Sequence, residues 1–143
     1  MRHFLSHSVI PFLLAVLAAY VLGSIMGTQF VLHSVVEMGL PVSIGLRVET
    51  TFADLVGTLA VLLPLIAIAL LCAFVVAALL GRLAPAIRGG LFVLAGFVGV
   101  VALFLIMRST LGLDGYAPVR TPLGLFALGM AGALGGWVFA RSR

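Results

Sequence analysis

Gln29, His33 and Glu37 recur at i, i+4 and i+8, so on one continuous helix they stack along a single face. An amide, an imidazole and a carboxylate in file suit three kinds of chemistry: holding an anionic headgroup, relaying a proton, or ligating a cation. Arg47 and Asp54 follow in the next polar stretch and complete a candidate ligand-binding set of Gln29, His33, Glu37, Arg47 and Asp54. Ser24 and Thr28 form an adjacent hydroxyl pair. The plainer reading is that these groups wet a boundary and form ion pairs there, as charges at the ends of apolar runs do.

A transition-metal site fits poorly. His33, Glu37 and Asp54 supply at most one imidazole, because His3 and His7 belong to the opposite end of the first apolar run. Such a site usually wants more imidazole or thiolate. A calcium or magnesium site would need several converging oxygens, which the sequence neither displays nor excludes. Cys72 stands alone in an apolar run, so there is no CxxC pair and no intramolecular disulfide. No GxSxG elbow, HExxH pair or phosphate loop occurs. The sequence names no metal ligand set, no cofactor and no catalytic residue.

The elements that must position these residues follow from composition. Of 143 residues, 64% are hydrophobic and 8% charged, against about a quarter charged in soluble domains. The mean hydropathy is +1.36, so hydrocarbon is the main solvent. A membrane span needs ~20 mostly apolar residues. Four such stretches are expected, at about 8–33, 52–81, 90–107 and 122–140, in one four-span domain covering residues 1–143. The expected fold is an all-α membrane protein, a compact bundle of four transmembrane helices.

Pro11 suits the first turn of the first span. From Pro41 to Glu49, Val42, Ile44, Leu46 and Val48 alternate with Ser43, Gly45, Arg47 and Glu49. Period two predicts a short extended segment in the first outer connection. The second span is then expected to begin near Thr51, with Asp54 three residues on as an imperfect capping box. Its length exceeds the bilayer core, so tilting, projection or a kink at Pro64 is expected. Asp114-Gly115 marks a turn, and Pro122 opens the fourth span.

The net charge of +4 comes from eight arginines without lysine. A pI near 10.7 raises the question of nucleic acid, but the arginines sit at the ends of apolar runs and act there as anchors. Arg2, Arg82, Arg88, Arg141 and Arg143 share one side of a four-span layout, and Arg47, Arg108 and Arg120 the other. All four acids, Glu37, Glu49, Asp54 and Asp114, lie with the smaller arginine group. The positive-inside rule then places both termini in the cytoplasm of a bacterial inner membrane.

Small residues form the second pattern. Ala15, Ala19, Gly23 and Gly27 recur every fourth position, and Gly132 and Gly136 form a GxxxG with Ala127, Ala131 and Gly135 on a neighbouring line. Ala95 and Gly99 add a third set. Small faces let helix backbones approach in lipid, either within one bundle or against another chain.

The central half of every span lacks a charge. The chain thus differs from the small multidrug exporters, which share the four-span size and carry a glutamate in the first span; Leu13 to Met26 offers only Tyr20 and Ser24. It differs also from the quinone-linked disulfide formers, which need paired cysteines. In architecture alone it resembles small bacterial inner-membrane proteins. The favoured expectation is a non-enzymatic accessory subunit of a membrane complex or a homo-oligomer, in contact with membrane lipid. The alternative is a small transporter or lipid-binding protein with a polar site near the outer leaflet; an enzyme on a lipid-soluble substrate ranks third.

Overall fold

The computed structural model describes residues 2–112 and 121–142. Four helices account for nearly all of them: α1 (Arg2–Glu37), α2 (Ile44–Leu83), α3 (Arg88–Leu111) and α4 (Pro122–Ser142). All four are long and apolar enough to cross a membrane. No strand occurs among the described residues, and the chain is a multi-pass helical membrane protein.

The first connection corrects the sequence reading. Residues 44–50 are helical, not extended. α1 ends in a Schellman turn: Gly39 takes φ +84°, Gly39 N–H donates to the Val36 carbonyl at 2.9 Å, and Leu40 N–H reaches the Val35 carbonyl at 3.4 Å. A left-handed φ of this kind suits glycine. Ser43 then caps α2, its Oγ accepting from Leu46 N–H at 3.1 Å. The alternating run has no partner strand, and at a lipid boundary a lone strand leaves its backbone groups unpaired, whereas a helix satisfies them internally. Hence Thr51 is no cap. It lies in the second turn of α2, its hydroxyl donating to the Arg47 carbonyl at 2.7 Å.

Pro11 is likewise displaced from its expected place, because α1 begins at Arg2 and Pro11 lies inside the helix. α2 runs 40 residues through Pro64 without interruption, ~60 Å at helical rise, so its excess length projects beyond a bilayer core. At α4, Thr121 Oγ1 accepts from Gly124 N–H at 3.1 Å and Pro122 opens the helix. The Asp114-Gly115 turn lies outside the described residues.

The helices pack in a ring, each touching its neighbours in the order α1, α2, α3, α4 and back to α1. Their mutual fit depends on glycine. A Cβ on Gly96 of α3 would overlap the Gly132 carbonyl of α4, and one on Gly132 would overlap the Gly96 carbonyl. One on Gly136 would strike the Phe92 carbonyl. Backbones this close permit Cα–H···O contacts. On the next line of α4, a Cβ at Gly135 would lie 2.8 Å from the Ala15 carbonyl oxygen and 3.1 Å from Ala19 Cβ, while one at Gly23 would meet Ala131 at 3.9 Å. α4 therefore turns Gly132 and Gly136 to α3 and Ala131 and Gly135 to α1. Gly27 is buried as well.

The bundle differs at its two ends. Near the chain termini, Phe74 stacks on Phe139 with centroids 4.7 Å apart, while Phe92 lies edge-on at 5.7 Å from Phe74 and 5.0 Å from Phe139. Toward the α1–α2 connection the same interior becomes polar.

Candidate functional site

α2 carries Arg47, Thr51, Asp54 and Thr58 at steps of four, three and four, the spacing that keeps residues on one helix face. α1 answers with Tyr20, Ser24 and Thr28 at steps of four, and with Gln29 beside them. These two lines meet in a polar seam. Tyr20 is 2% exposed, Thr28 2% and Ser24 4%. Tyr20 lies 13 residues from His7 and 17 from Glu37, the ends of the α1 candidate span, so the seam reaches the middle of the apolar stretch.

The bonding is nearly continuous along it. At the outermost step Arg47 Nη1 donates to Gln29 Oε1 at 3.1 Å, Gln29 Nε2 donates to Thr51 Oγ1 at 3.3 Å, and Thr51 returns its proton to the Arg47 carbonyl. One step inward Thr28 Oγ1 donates to Asp54 Oδ2 at 2.7 Å and also lies 2.9 Å from the Ser24 carbonyl. Deeper still, Tyr20 Oη donates to the Leu55 carbonyl and lies 3.1 Å from Thr58 Oγ1, which donates to the Asp54 carbonyl at 2.7 Å. Among the described residues no buried side-chain nitrogen or oxygen lacks a partner. That is what hydrocarbon demands, since an unmatched polar group there costs several kcal/mol, a rough figure for the membrane core.

The five residues of the candidate set part company here. Gln29, Arg47 and Asp54 enter the seam. His33 and Glu37 pair with each other at 3.3 Å with both side chains 69% exposed, facing away from it. A step of four residues advances 400°, so a file at i, i+4, i+8 drifts around the helix; the extension past Gln29 carries the last two off the α2 side. His33 is thereby kept from the seam hydroxyls Ser24 and Thr28, so no Ser–His or Thr–His pair for nucleophilic attack is assembled. Among the described residues no group of three or more His, Cys, Asp and Glu side chains converges on a metal position.

Sequence reasoning missed Tyr20, Thr51 and Thr58 as seam members. The signal was the four-three-four spacing from Arg47 to Thr58, hidden once a helix start was placed at Thr51. It also missed Gly96, the α3 partner of Gly132.

Beside α3 the seam gives way to a side groove between α2 and α3. It encloses about 510 Å³ and is lined by Ala69, Cys72, Ala73, Ala95, Gly99 and Ala102 together with larger aliphatic residues. Cys72 is exposed on it.

In comparisons with known proteins, no family model, no curated protein and no solved structure matches the chain.

Proposed function

We propose that this chain is a non-enzymatic membrane subunit that packs against a further transmembrane helix, in a larger membrane complex or in a second copy of itself. The observation that carries this reading is the α2–α3 groove. Its small side chains form a shallow furrow on the lipid-facing side, and small surfaces of this kind let a helix approach closely where no hydrophobic force drives association. The Gly132/Gly136 and Ala15/Ala19/Gly23 faces are engaged inside the bundle, as is Gly99 against Ala69 and Ala73 at the floor of the groove. The open mouth of the groove, with the exposed Cys72, is left for a partner.

The polar seam supports the same reading. Its groups satisfy one another, so it works as a clamp between α1 and α2. A ligand-binding or transport site is the second reading. It is supported by Gln29, Arg47 and Asp54 in that seam, with Arg47 and Asp54 only partly buried, and it loses His33 and Glu37 to the outer surface. For orientation, five arginines at the terminal end against three at the other support cytoplasmic termini in a bacterial inner membrane.

Cys72 allows a direct test without any substitution. Oxidative crosslinking in native membranes, followed by purification in a mild detergent, is expected to return a Cys72-linked dimer or a stoichiometric partner. Ala102→Phe, which fills the groove, is expected to abolish that association while leaving the melting temperature in place. A chain that purifies alone, and whose Ala102→Phe variant behaves in cells as the wild type does, would overturn the proposal.

A further inference from the structure

The terminal end of the bundle collects positive charge with no carboxylate paired to it among the described residues. Arg82 closes α2, Arg88 opens α3 and Arg141 closes α4, and all three are exposed. Glu37, Glu49 and Asp54 lie toward the opposite end, and Asp114 falls outside the described residues. No ion pair joins Arg82, Arg88 or Arg141 to a carboxylate among the described residues.

Arg88 is also held in place. Its stem lies over Gly81, where a Cβ would sit 3.0 Å from Arg88 Cγ. Its side chain lines an open cavity of about 340 Å³ together with Gly89, Phe92 and Ala140. Phe92 is at the same time a wall of a second, apolar cavity of about 290 Å³, lined by Val9, Phe12, Leu71, Phe74 and Phe139 among others. The first cavity lies between α3 and α4 and the second between α1 and α2, with the buried Phe92 between them. An exposed guanidinium at the mouth of the first, at the end of an apolar bundle, matches a phosphate head.

We propose that Arg88, supported by Arg82 and Arg141, binds the headgroup of an anionic phospholipid at the open cavity beside Gly89 and Ala140, with its acyl chains on the apolar outer faces of the helices. Guanidinium groups recognise phosphate oxygens through paired N–H donors. The preference for a net-negative lipid follows from three exposed arginines with no carboxylate paired to them among the described residues. A zwitterionic headgroup would bring an ammonium to an end where no carboxylate stands among the described residues, whereas phosphatidylglycerol brings a phosphate and neutral hydroxyls.

The chain has one tryptophan, and it reports on this end: the Trp137 ring lies 5.2 Å from the Arg141 guanidinium carbon. The wild-type protein is reconstituted in phosphatidylcholine nanodiscs, and Trp137 fluorescence is followed as phosphatidylglycerol or phosphatidylcholine with brominated acyl chains is titrated in. Brominated phosphatidylglycerol is expected to quench at several-fold lower mole fraction. Arg88→Gln is expected to weaken that preference by roughly fivefold, the scale for one basic residue at an anionic surface, while Arg108→Gln at the other end leaves it unchanged. Equal quenching by both lipids in the wild type would overturn the proposal, as would a preference that survives Arg88→Gln. Loss of the preference in inorganic phosphate, but not in sodium chloride of equal ionic strength, would assign the site to a free anion and overturn the lipid assignment. The wild-type comparison needs no variant, so it stands even if a substituted chain fails to fold.

Discussion

Thr28 on α1 and Asp54 on α2 meet at 2.7 Å between Oγ1 and Oδ2, with Thr28 only 2% exposed. The hydroxyl has one proton and two acceptors within reach, Asp54 Oδ2 and the Ser24 carbonyl at 2.9 Å. A helix carbonyl at that position already receives a backbone N–H from the next turn. The proton therefore goes to the carboxylate without leaving Ser24 short. This is an interhelical bond of the kind that holds helices together in lipid, where association rests on packing and hydrogen bonds.

Removing either partner should loosen α1 from α2. Thr28→Val and Asp54→Ala are each expected to lower stability, and a double-mutant cycle should return a coupling of about 0.5–1.5 kcal/mol, the range for hydrogen bonds between membrane helices. The measurement is reversible unfolding in mixed micelles. Additive effects of the two substitutions would show that the contact carries no interaction energy.

A second comparison separates the seam from the file of residues that first suggested a site. Gln29→Ala breaks the ring through Arg47 and Thr51 and leaves a guanidinium without its amide acceptor. It should cost about 1 kcal/mol, the scale of one net hydrogen bond. His33→Ala and Glu37→Gln remove an exposed i, i+4 pair and should each change stability by less than about 0.5 kcal/mol. Equal losses at Gln29 and His33 in thermal melts would mean that the outer file acts as one unit.

The four-helix layout was legible because each apolar run is long and because lipid admits few spanning structures. At the α1–α2 connection the sequence carries two conflicting signals: alternation, and the pair Gly39 and Ser43, which the structure uses as a left-handed C-cap and an N-cap. Alternation from Val42 to Glu49 favours a strand locally, but without a partner strand the pairing of backbone groups decides for helix. The sequence places Asp54 with Gln29 in the candidate ligand-binding set and also suggests a capping role for it; its bond to Thr28 depends on the relative rotation of α1 and α2, which no local pattern encodes. For the same reason Gly96 went unnoticed beside the more obvious Gly132–Gly136 spacing: its importance comes from a carbonyl on another helix.

Gly96 gives the sharpest packing prediction. A Cβ there would overlap the Gly132 carbonyl and lie 2.9 Å from the carbonyl carbon. Backbone cannot rotate away as a side chain can, so α3 and α4 must separate. Gly96→Ala is expected to destabilise by about 1–3 kcal/mol, the range for overpacking a tight interior. Gly57, in α2, has nothing within 4 Å of its would-be Cβ; Gly57→Ala should cost nothing and stabilise by up to about 1 kcal/mol through helix propensity. If both variants melt with the wild type, the α3–α4 contact is looser than described.

Orientation is open to a chemical test that also bears on the basic end. In a Cys72→Ala background, single cysteines are introduced as Ala86→Cys between α2 and α3, and as Ser109→Cys near the end of α3; both native residues are exposed. If the five terminal-end arginines set the topology, a membrane-impermeant maleimide added to intact cells should label Ser109→Cys and spare Ala86→Cys until the membrane is opened. The charge margin is five against three, yet the acids at the other end give little counter-bias because the rule weighs basic residues and largely ignores carboxylates. The reverse labelling would place Arg82, Arg88 and Arg141 at the outer leaflet. The chain would then defy the positive-inside rule, and an anionic lipid bound at Arg88 would have to come from that leaflet.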